Sequence, residues 1–382
     1  MLLILATGLA VYATVKQFIM IDEFALLLFG VLSMLAVGQI DGASFKRSIF
    51  SPLSIAFLVY LAYYIFRLDL NLQDIADLDI SPNRIPLEIA ALFIYYITLM
   101  IASSLRPRSH VFYFFFWFLA ITTTVNTVIS ITDFDAIRNK NFYAYQAITF
   151  MPLLHIALLR NMKLCRFLMV ALAVLVLFVF ESRAGFVAIV FYHFTFAAWP
   201  VVSRNRKRLL AGLIGLLALV VALIYIYTFV LENIDITAFT EFNEKIFDKG
   251  ILGRLYIWQE LIKQISMNFY LGLCSNCNTE FFMGGLLDRN LSSHSTFLEH
   301  LFRGGVVALL LLLIVLFRIA DLCYRYRSSA YARICFSYLA TSICIASAYE
   351  FIFFSVLTVN FIFWLGIGFL WNAMRHDIVL NP

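Results

Sequence analysis

Apolar segments of about the length of a membrane-spanning helix recur along the whole chain, and they restrict its fold more than any other feature. A helix needs roughly 20 mostly apolar residues to cross a bilayer, with about 17 as the lower limit. Twelve segments approach that length: 1–15, 24–40, 49–66, 86–104, 111–131, 143–159, 166–181, 184–202, 209–231, 304–320, 334–349 and 351–372. Because backbone groups in lipid must be hydrogen-bonded within the protein, we predict an all-α polytopic membrane protein with about 12 transmembrane helices.

The amino-acid composition agrees with a single integral membrane domain over residues 1–382. The chain is 63% apolar and 13% charged, whereas soluble domains average about 45–50% and about 25%. These values exclude a soluble enzyme, a disordered protein and a nucleic-acid binder. The basic run 204–208 is explained by the excess of Lys and Arg that cytoplasmic loops carry, so we expect no nucleic acid as a partner.

The charged residues predict an orientation. With the N-terminus inside, the cytoplasmic loops and their flanks hold 16 of the 28 basic residues and 3 of the 23 acidic ones. The opposite side then holds 12 basic and 20 acidic residues, so we expect both termini to be cytoplasmic. The first segment is the exception, because Lys16 follows it and no basic residue precedes it. The outer side is acidic overall, so an Arg there is not needed to set the topology.

One predicted outer loop is far longer than the others. It spans 232–303, a stretch of 72 residues, and loops of that length are usually functional. It contains Cys274 and Cys277, which we interpret as a minor local disulfide or as two free thiols, because no redox or zinc motif surrounds them. The other cysteines fall in or beside helices and are expected to be small buried apolar residues; they are Cys165, Cys323, Cys335 and Cys344.

Two arginines at the predicted outer side are candidates for binding an anion. Arg183 lies in a short turn between two spans, and Arg254 falls in the first turn of a predicted helix. A helix N-terminus favours anions, and an Arg placed there can complete a phosphate site. Position alone leaves ordinary roles open: Arg183 could be an interfacial residue paired with Glu181, and Arg254 an exposed cation.

The helix after Arg254 is predicted to be amphipathic. Leu255, Trp258, Ile262 and Ile265 recur at helical spacing, which is typical of a helix that lies along the membrane surface.

A further helix is predicted to begin near Thr296, with Thr296 and Glu299 forming a capping box. His294 lies directly before it and could act as a base or donate a proton to an anion. A single His is more often structural, and this interpretation also stays open.

Three motifs occur in a recognisable order over about residues 175–320. They are ESRAG before an apolar helix, GRLYIWQELI with a GLCSN turn after it, and HSTFLEHLFRGG entering a long span. The chain therefore resembles the O-antigen polymerase and ligase superfamily of bacterial surface-polysaccharide enzymes. The family turn usually reads G-x-G, and here it is Gly272-Leu-Cys274.

The resemblance implies a GT-C-like fold with one long periplasmic loop over the active site. It implies transfer of a glycan from undecaprenyl diphosphate to an acceptor hydroxyl, with no metal and no further cofactor. Arg183 and Arg254 would bind the diphosphate, and His294 would activate the acceptor or contact the diphosphate. Five more residues are expected to contact the substrate: Tyr256, Trp258, Arg289, His300 and Arg303.

The expected function is that of an O-antigen polymerase in the bacterial inner membrane, with its active site in the periplasm. Such an enzyme meets membrane lipid and a lipid-linked oligosaccharide, and it could work with a chain-length regulator. An O-antigen ligase is the alternative within the superfamily. A lipid-linked oligosaccharide flippase is the alternative from another class, but the chain shows no repeat relating two halves, its spans are nearly free of charge, and it has one large outer loop. A scaffold without catalytic activity is a further alternative.

Overall fold

A computed structural model of the protein describes residues 40–71, 84–105, 151–152, 155–156, 162–178, 182–225, 258, 261–273, 295–348 and 357–376. Within these ranges the protein is all-helical, apart from an isolated β-bridge between Ile40 and Leu105. The helices there are α1 Gly42–Ile49, α2 Pro52–Asn71, α3 Arg84–Ala102, α4 Met162–Phe178, α5 Arg183–Val202, α6 Arg206–Tyr225, α7 Thr296–Arg325, α8 Ala330–Ala348 and α9 Leu357–His376. The predicted helical fold class is confirmed for this part of the chain.

Eight of the twelve predicted spans coincide with helices α2 to α9. Two of the others, 1–15 and 111–131, lie outside the described residues, and 24–40 is described only at Ile40. The remaining one, 143–159, is described at four positions only. The total of about 12 helices and the GT-C-like arrangement therefore stay predictions.

Two described segments are long and apolar enough to cross a membrane by themselves, Gly185–Val202 and Thr296–Arg325. The pair Gly42–Ile49 and Pro52–Arg67, bent by 56°, would add a third if it forms one span. The surface of the bundle is consistent with lipid around it. Three phenylalanines on α4 and α5 are 66–71% exposed, Phe167, Phe178 and Phe194, and such rings suit hydrocarbon far better than water.

The buried core lies between helix pairs that are far apart in sequence. α3 packs on α9, α5 on α8, and α2 on α7. Phe57 meets Trp364 edge to face, with ring centroids 4.8 Å apart. At Gly368 a Cβ atom would lie 2.6 Å from the Ala102 Cβ and 2.9 Å from the Leu99 carbonyl oxygen. This glycine therefore allows α9 to approach α3 closely.

Residues 41–48 separate two of the predicted spans, 24–40 and 49–66, and the sequence predicts no helix there. They form the short helix α1, whose N-cap Asp41 accepts a hydrogen bond from the Ser44 amide at 3.0 Å. Hydrogen bonding from the Ser44 side chain, and next from its amide, lowers the pKa of Asp41. Ser44 and Ser48, one turn apart, are buried, and Ser48 Oγ accepts a hydrogen bond from Arg375 Nη1 at 2.8 Å. The helix is held by polar contacts, so a search for apolar runs could not find it.

The cysteine prediction is confirmed where the structure describes it. Cys165, Cys323 and Cys335 are buried free thiols, and Cys344 is half-buried. Cys274 and Cys277 lie outside the described residues, as does most of the predicted loop 232–303.

Candidate functional site

The structure describes the surroundings of three predicted site residues, namely Trp258, His300 and Arg303. Arg183 is the first residue of α5, but its side chain is not among the described ones. The other predicted site residues lie outside the described residues: Arg254, Tyr256, Arg289 and His294. The described part of the candidate site is therefore the start of α7, which directly follows His294, together with the segments that contact it.

Helix α7 begins one residue earlier than the predicted capping box required. Its N-cap is Ser295, whose Oγ accepts a long hydrogen bond of 3.5 Å from the Leu298 amide. The capping box of Thr296 and Glu299 is therefore wrong. Glu299 lies one residue too far along for that role, and its carboxylate accepts a hydrogen bond from Arg303 Nε at 2.8 Å. The two side chains are 4% and 12% exposed, so they form a largely buried ion pair along one face of α7.

Both ring nitrogens of His300 are hydrogen-bonded, one within α7 and the other to α2. Nδ1 lies 2.7 Å from the Thr296 carbonyl oxygen, and Nε2 lies 2.8 Å from the Tyr60 hydroxyl. Because a carbonyl can only accept, Nδ1 carries the proton, and Nε2 accepts from Tyr60. The ring is also stacked on Tyr60 and meets Tyr64 edge on. His300 therefore positions the start of α7, and its contact with substrate stays a prediction.

α7 is broken at Gly305, where φ is 64° and ψ is −165°. In an unbroken helix the Val306 amide would donate to the Phe302 carbonyl. Here both groups are satisfied by the segment 268–273: Val306 N–H donates to the Phe269 carbonyl, and the Phe302 carbonyl accepts from Leu273 N–H, each at 2.8 Å. The segment 268–273 therefore docks at the break. Its hydrogen bonds leave neither the Val306 amide nor the Phe302 carbonyl unpaired.

Two glycines make this docking possible, because the backbone at each one leaves no room for a Cβ atom on the other. Gly272 has a φ of 75°, and a Cβ atom on it would lie 2.5 Å from the Gly305 nitrogen and 2.6 Å from the Arg303 carbonyl carbon. A Cβ atom on Gly305 would overlap the Tyr270 carbonyl oxygen. We call this contact the glycine interlock of Gly272 and Gly305. It shows that the first glycine of the family turn is the one that touches α7, whereas Cys274 lies outside the described residues.

Helix α2 holds the interlock from its other side. The Tyr63 hydroxyl donates to the Gly304 carbonyl at 2.7 Å, and Arg67 Nη2 donates to the Gly272 carbonyl at 3.3 Å. Arg67 is 6% exposed. None of the three motifs includes Arg67, although its position in the sequence is unusual. Arg67 follows an apolar run on the predicted outer side, where an Arg is not needed for topology.

The helical segment that leads into the interlock is amphipathic, as predicted, but its buried stripe differs. Trp258, Leu261 and Ile265 are 0–6% exposed, whereas Ile262 is half-buried and Lys263 is exposed. This apolar face is covered by protein, so it is not the face that would contact lipid. The stripe instead fixes the direction from which the segment 268–273 approaches α7.

The described residues contain no group of three His, Cys, Asp or Glu side chains that could hold a metal ion. The expected absence of a metal and of any other cofactor stays a prediction.

Comparison with known proteins identifies one family. A family model described as O-Antigen ligase matches residues 168–313. The matched region includes Arg183, Arg254 and His294, together with the glycine interlock. No curated protein matches the chain. The resemblance to the O-antigen polymerase and ligase superfamily is confirmed by this match.

Proposed function

We propose, from the match of residues 168–313 to the O-antigen ligase family, that the protein is an O-antigen polymerase. It would move the growing glycan from its polyprenyl diphosphate carrier onto a lipid-linked repeat unit at the periplasmic face of the bacterial inner membrane. The observation that carries the proposal is this match, because it contains all three residues to which we assign the chemistry. The helical membrane body supports the same proposal, since the carrier is a lipid.

The proposed reaction is a displacement at the anomeric carbon of the carrier-linked sugar. The acceptor hydroxyl forms a new C–O bond, its proton passes to His294, and the bond to the diphosphate breaks. The carrier diphosphate leaves as an anion, so it needs charge stabilisation more than protonation, and Arg183 and Arg254 supply it. A positioned base contributes typically about 10²–10⁴-fold to a rate.

The backbone around two of these residues supports the assignment. Arg183 opens α5 behind the N-cap Ser182, whose Oγ accepts from the Gly185 amide at 3.2 Å. His294 directly precedes the N-cap Ser295 of α7. Both residues therefore belong to helix N-termini, where the helix dipole favours an anion. The buried ion pair and the glycine interlock brace the start of α7, which would limit the freedom of His294.

The alternative within the superfamily is an O-antigen ligase, which would transfer the glycan to lipid A-core. The description of the matched family names that activity, and polymerases and ligases share the donor. We favour the polymerase because polymerases are the more numerous and divergent group, and a chain with 40 Phe and 16 Gly is divergent. A chain-length regulator is then the proposed protein partner.

A deletion strain of the source bacterium separates the candidate functions. A single repeat unit on the lipid A-core, seen on a gel of surface polysaccharide, is the expected result and identifies a polymerase. Free carrier-linked polymer would instead identify a ligase, and loss of all periplasmic glycan a flippase. An unchanged polysaccharide ladder would refute the whole proposal.

The site assignment is tested in the same strain with the variants Arg183→Ala, Arg254→Ala and His294→Ala. We expect each to abolish long glycan while the protein level in the membrane stays normal. Matched controls are Arg208→Ala and His376→Ala, because both side chains are exposed and neither residue belongs to the three motifs. Wild-type ladders from all three site variants would contradict the assignment and would favour a non-catalytic scaffold.

A further inference from the structure

Among the residues that the structure describes, Arg67 is buried without a charged partner. Its side chain is 6% exposed, and no described group forms a hydrogen bond with its Nε. Its described hydrogen bond runs from Nη2 to the Gly272 carbonyl and is 3.3 Å long. A charged donor usually lies about 2.7–2.9 Å from its acceptor, so this bond does not use the guanidinium fully. None of the ion pairs described in the structure includes Arg67.

Such an arrangement is unfavourable unless an anion completes it. Taking a cation out of water costs several kcal/mol when no opposite charge is supplied. The Gly272 carbonyl oxygen that accepts from Arg67 is neutral, and so at pH 7 is the phenol of Tyr63, one turn earlier on α2. The nearby cation Arg303 is already paired with Glu299. Arg67 therefore carries a positive charge that the described residues leave without an opposite charge.

We propose that Arg67 binds a phosphate oxygen of the lipid-linked diphosphate, as a third arginine beside Arg183 and Arg254. This inference rests on the proposed function. The side edge of a guanidinium presents the Nε–H and an Nη N–H in parallel, which matches two oxygens of one phosphate group. The unpartnered atom of Arg67 belongs to that edge.

The location of Arg67 fits a diphosphate rather than a structural role alone. It follows the apolar run 49–66, so a lipid tail beside α2 would place its headgroup at this depth. Through Gly272 it is linked to Gly305, which lies on α7, the helix capped by Ser295. A phosphate held by Arg67 would thus be connected directly to the segment that positions His294.

Binding is measured with the purified full-length protein in detergent, and geranylgeranyl diphosphate serves as the probe. We expect Arg67→Met to weaken binding by roughly 10- to 100-fold, the effect of losing a charged hydrogen bond. Arg208→Met is the matched control and is expected to bind as the wild type does. Inorganic pyrophosphate and phosphatidylglycerol are measured in parallel, because phosphate oxygens could also come from a free anion or from the bilayer. Equal dependence of phosphatidylglycerol binding on Arg67 would overturn the assignment to the substrate.

The melting temperature without ligand separates binding from a structural role. Removal of an uncompensated buried charge is expected to leave the melting temperature of Arg67→Met unchanged or raised. If Arg67 served only to hold Gly272 in place, Arg67→Met would have a lower melting temperature, and this result would overturn the proposal. So would unchanged affinity for the probe in Arg67→Met.

The two proposals fail in different ways. If the deletion strain has normal glycan but the probe binds through Arg67, the proposed function is wrong and the anion site stands. If the deletion strain has the polymerase phenotype but Arg67→Met binds normally, only the role of Arg67 is wrong.

Discussion

The substitution Gly272→Ala tests whether the glycine interlock supports the site. Gly272 and Gly305 touch through their backbones, and both have positive φ angles of 75° and 64°. The methyl group of an alanine at position 272 would lie 2.5 Å from the Gly305 nitrogen. The atoms that it meets belong to the backbone of α7 and cannot turn aside as a side chain would.

The cost of this substitution follows from two terms. A left-handed conformation costs a non-glycine residue about 1–2 kcal/mol, and overpacking costs about 1–3 kcal/mol. The segment could instead withdraw from α7, but it would then lose the hydrogen bonds that Val306 and Leu273 donate across the interlock. At about 0.5–1.5 kcal/mol each, their loss is of similar size. We therefore expect the docked state to be destabilised by about 2–5 kcal/mol.

Hydrogen exchange read by mass spectrometry measures this change directly. The amides of Leu273 and Val306 are protected by bonds across the interlock, so their exchange reports its opening. A loss of 2 kcal/mol corresponds to exchange that is about 30-fold faster. We also expect long surface glycan to be lost, because His294 adjoins the same helix.

The matched control is Gly215→Ala in α6, where a Cβ atom would meet nothing within 4 Å. Alanine in a helix interior is favoured over glycine by roughly 0.5–1 kcal/mol, so this variant should be at least as stable as the wild type. Wild-type exchange at Leu273 and Val306 in Gly272→Ala would refute the reasoning about the interlock. Faster exchange with normal glycan would show that catalysis does not depend on it.

Two further substitutions test the bracing of α7. Glu299→Ala leaves Arg303 without its buried partner, and breaking such a pair costs about 3–5 kcal/mol. We expect less folded protein in detergent extracts, with recovery in the double variant Glu299→Ala, Arg303→Met; no recovery would mean that the pair is not the cause. Tyr60→Phe removes the donor to His300 Nε2 and should lower stability by about 1–3 kcal/mol. A melting temperature equal to that of the wild type would show that this hydrogen bond contributes little.

Most of the helices could be predicted because each one depends on its own residues. In lipid the backbone of a segment must satisfy its own hydrogen bonds, so apolar length alone predicts helices such as α5 and α7. The prediction failed for α1, which is short and polar and is stabilised by Arg375 from α9. It also placed the cap of α7 one residue late, because Ser295 and Thr296 are both good capping residues and local sequence does not choose between them.

The candidate site likewise has a part that the sequence predicts and a part that only the tertiary structure shows. Its polar motifs are contiguous in sequence, so Arg183, Arg254 and His294 could be named from the order of those motifs, and the family match covers all three. The break at Gly305 could not be interpreted locally, since the backbone groups that it frees are satisfied by residues 29 and 37 positions earlier. Arg67 lies 205 residues from the Gly272 carbonyl that it contacts. Local sequence controls the hydrogen bonds of a helix, whereas close packing of distant segments decides which charges are buried, and it leaves Arg67 without an opposite charge among the described residues.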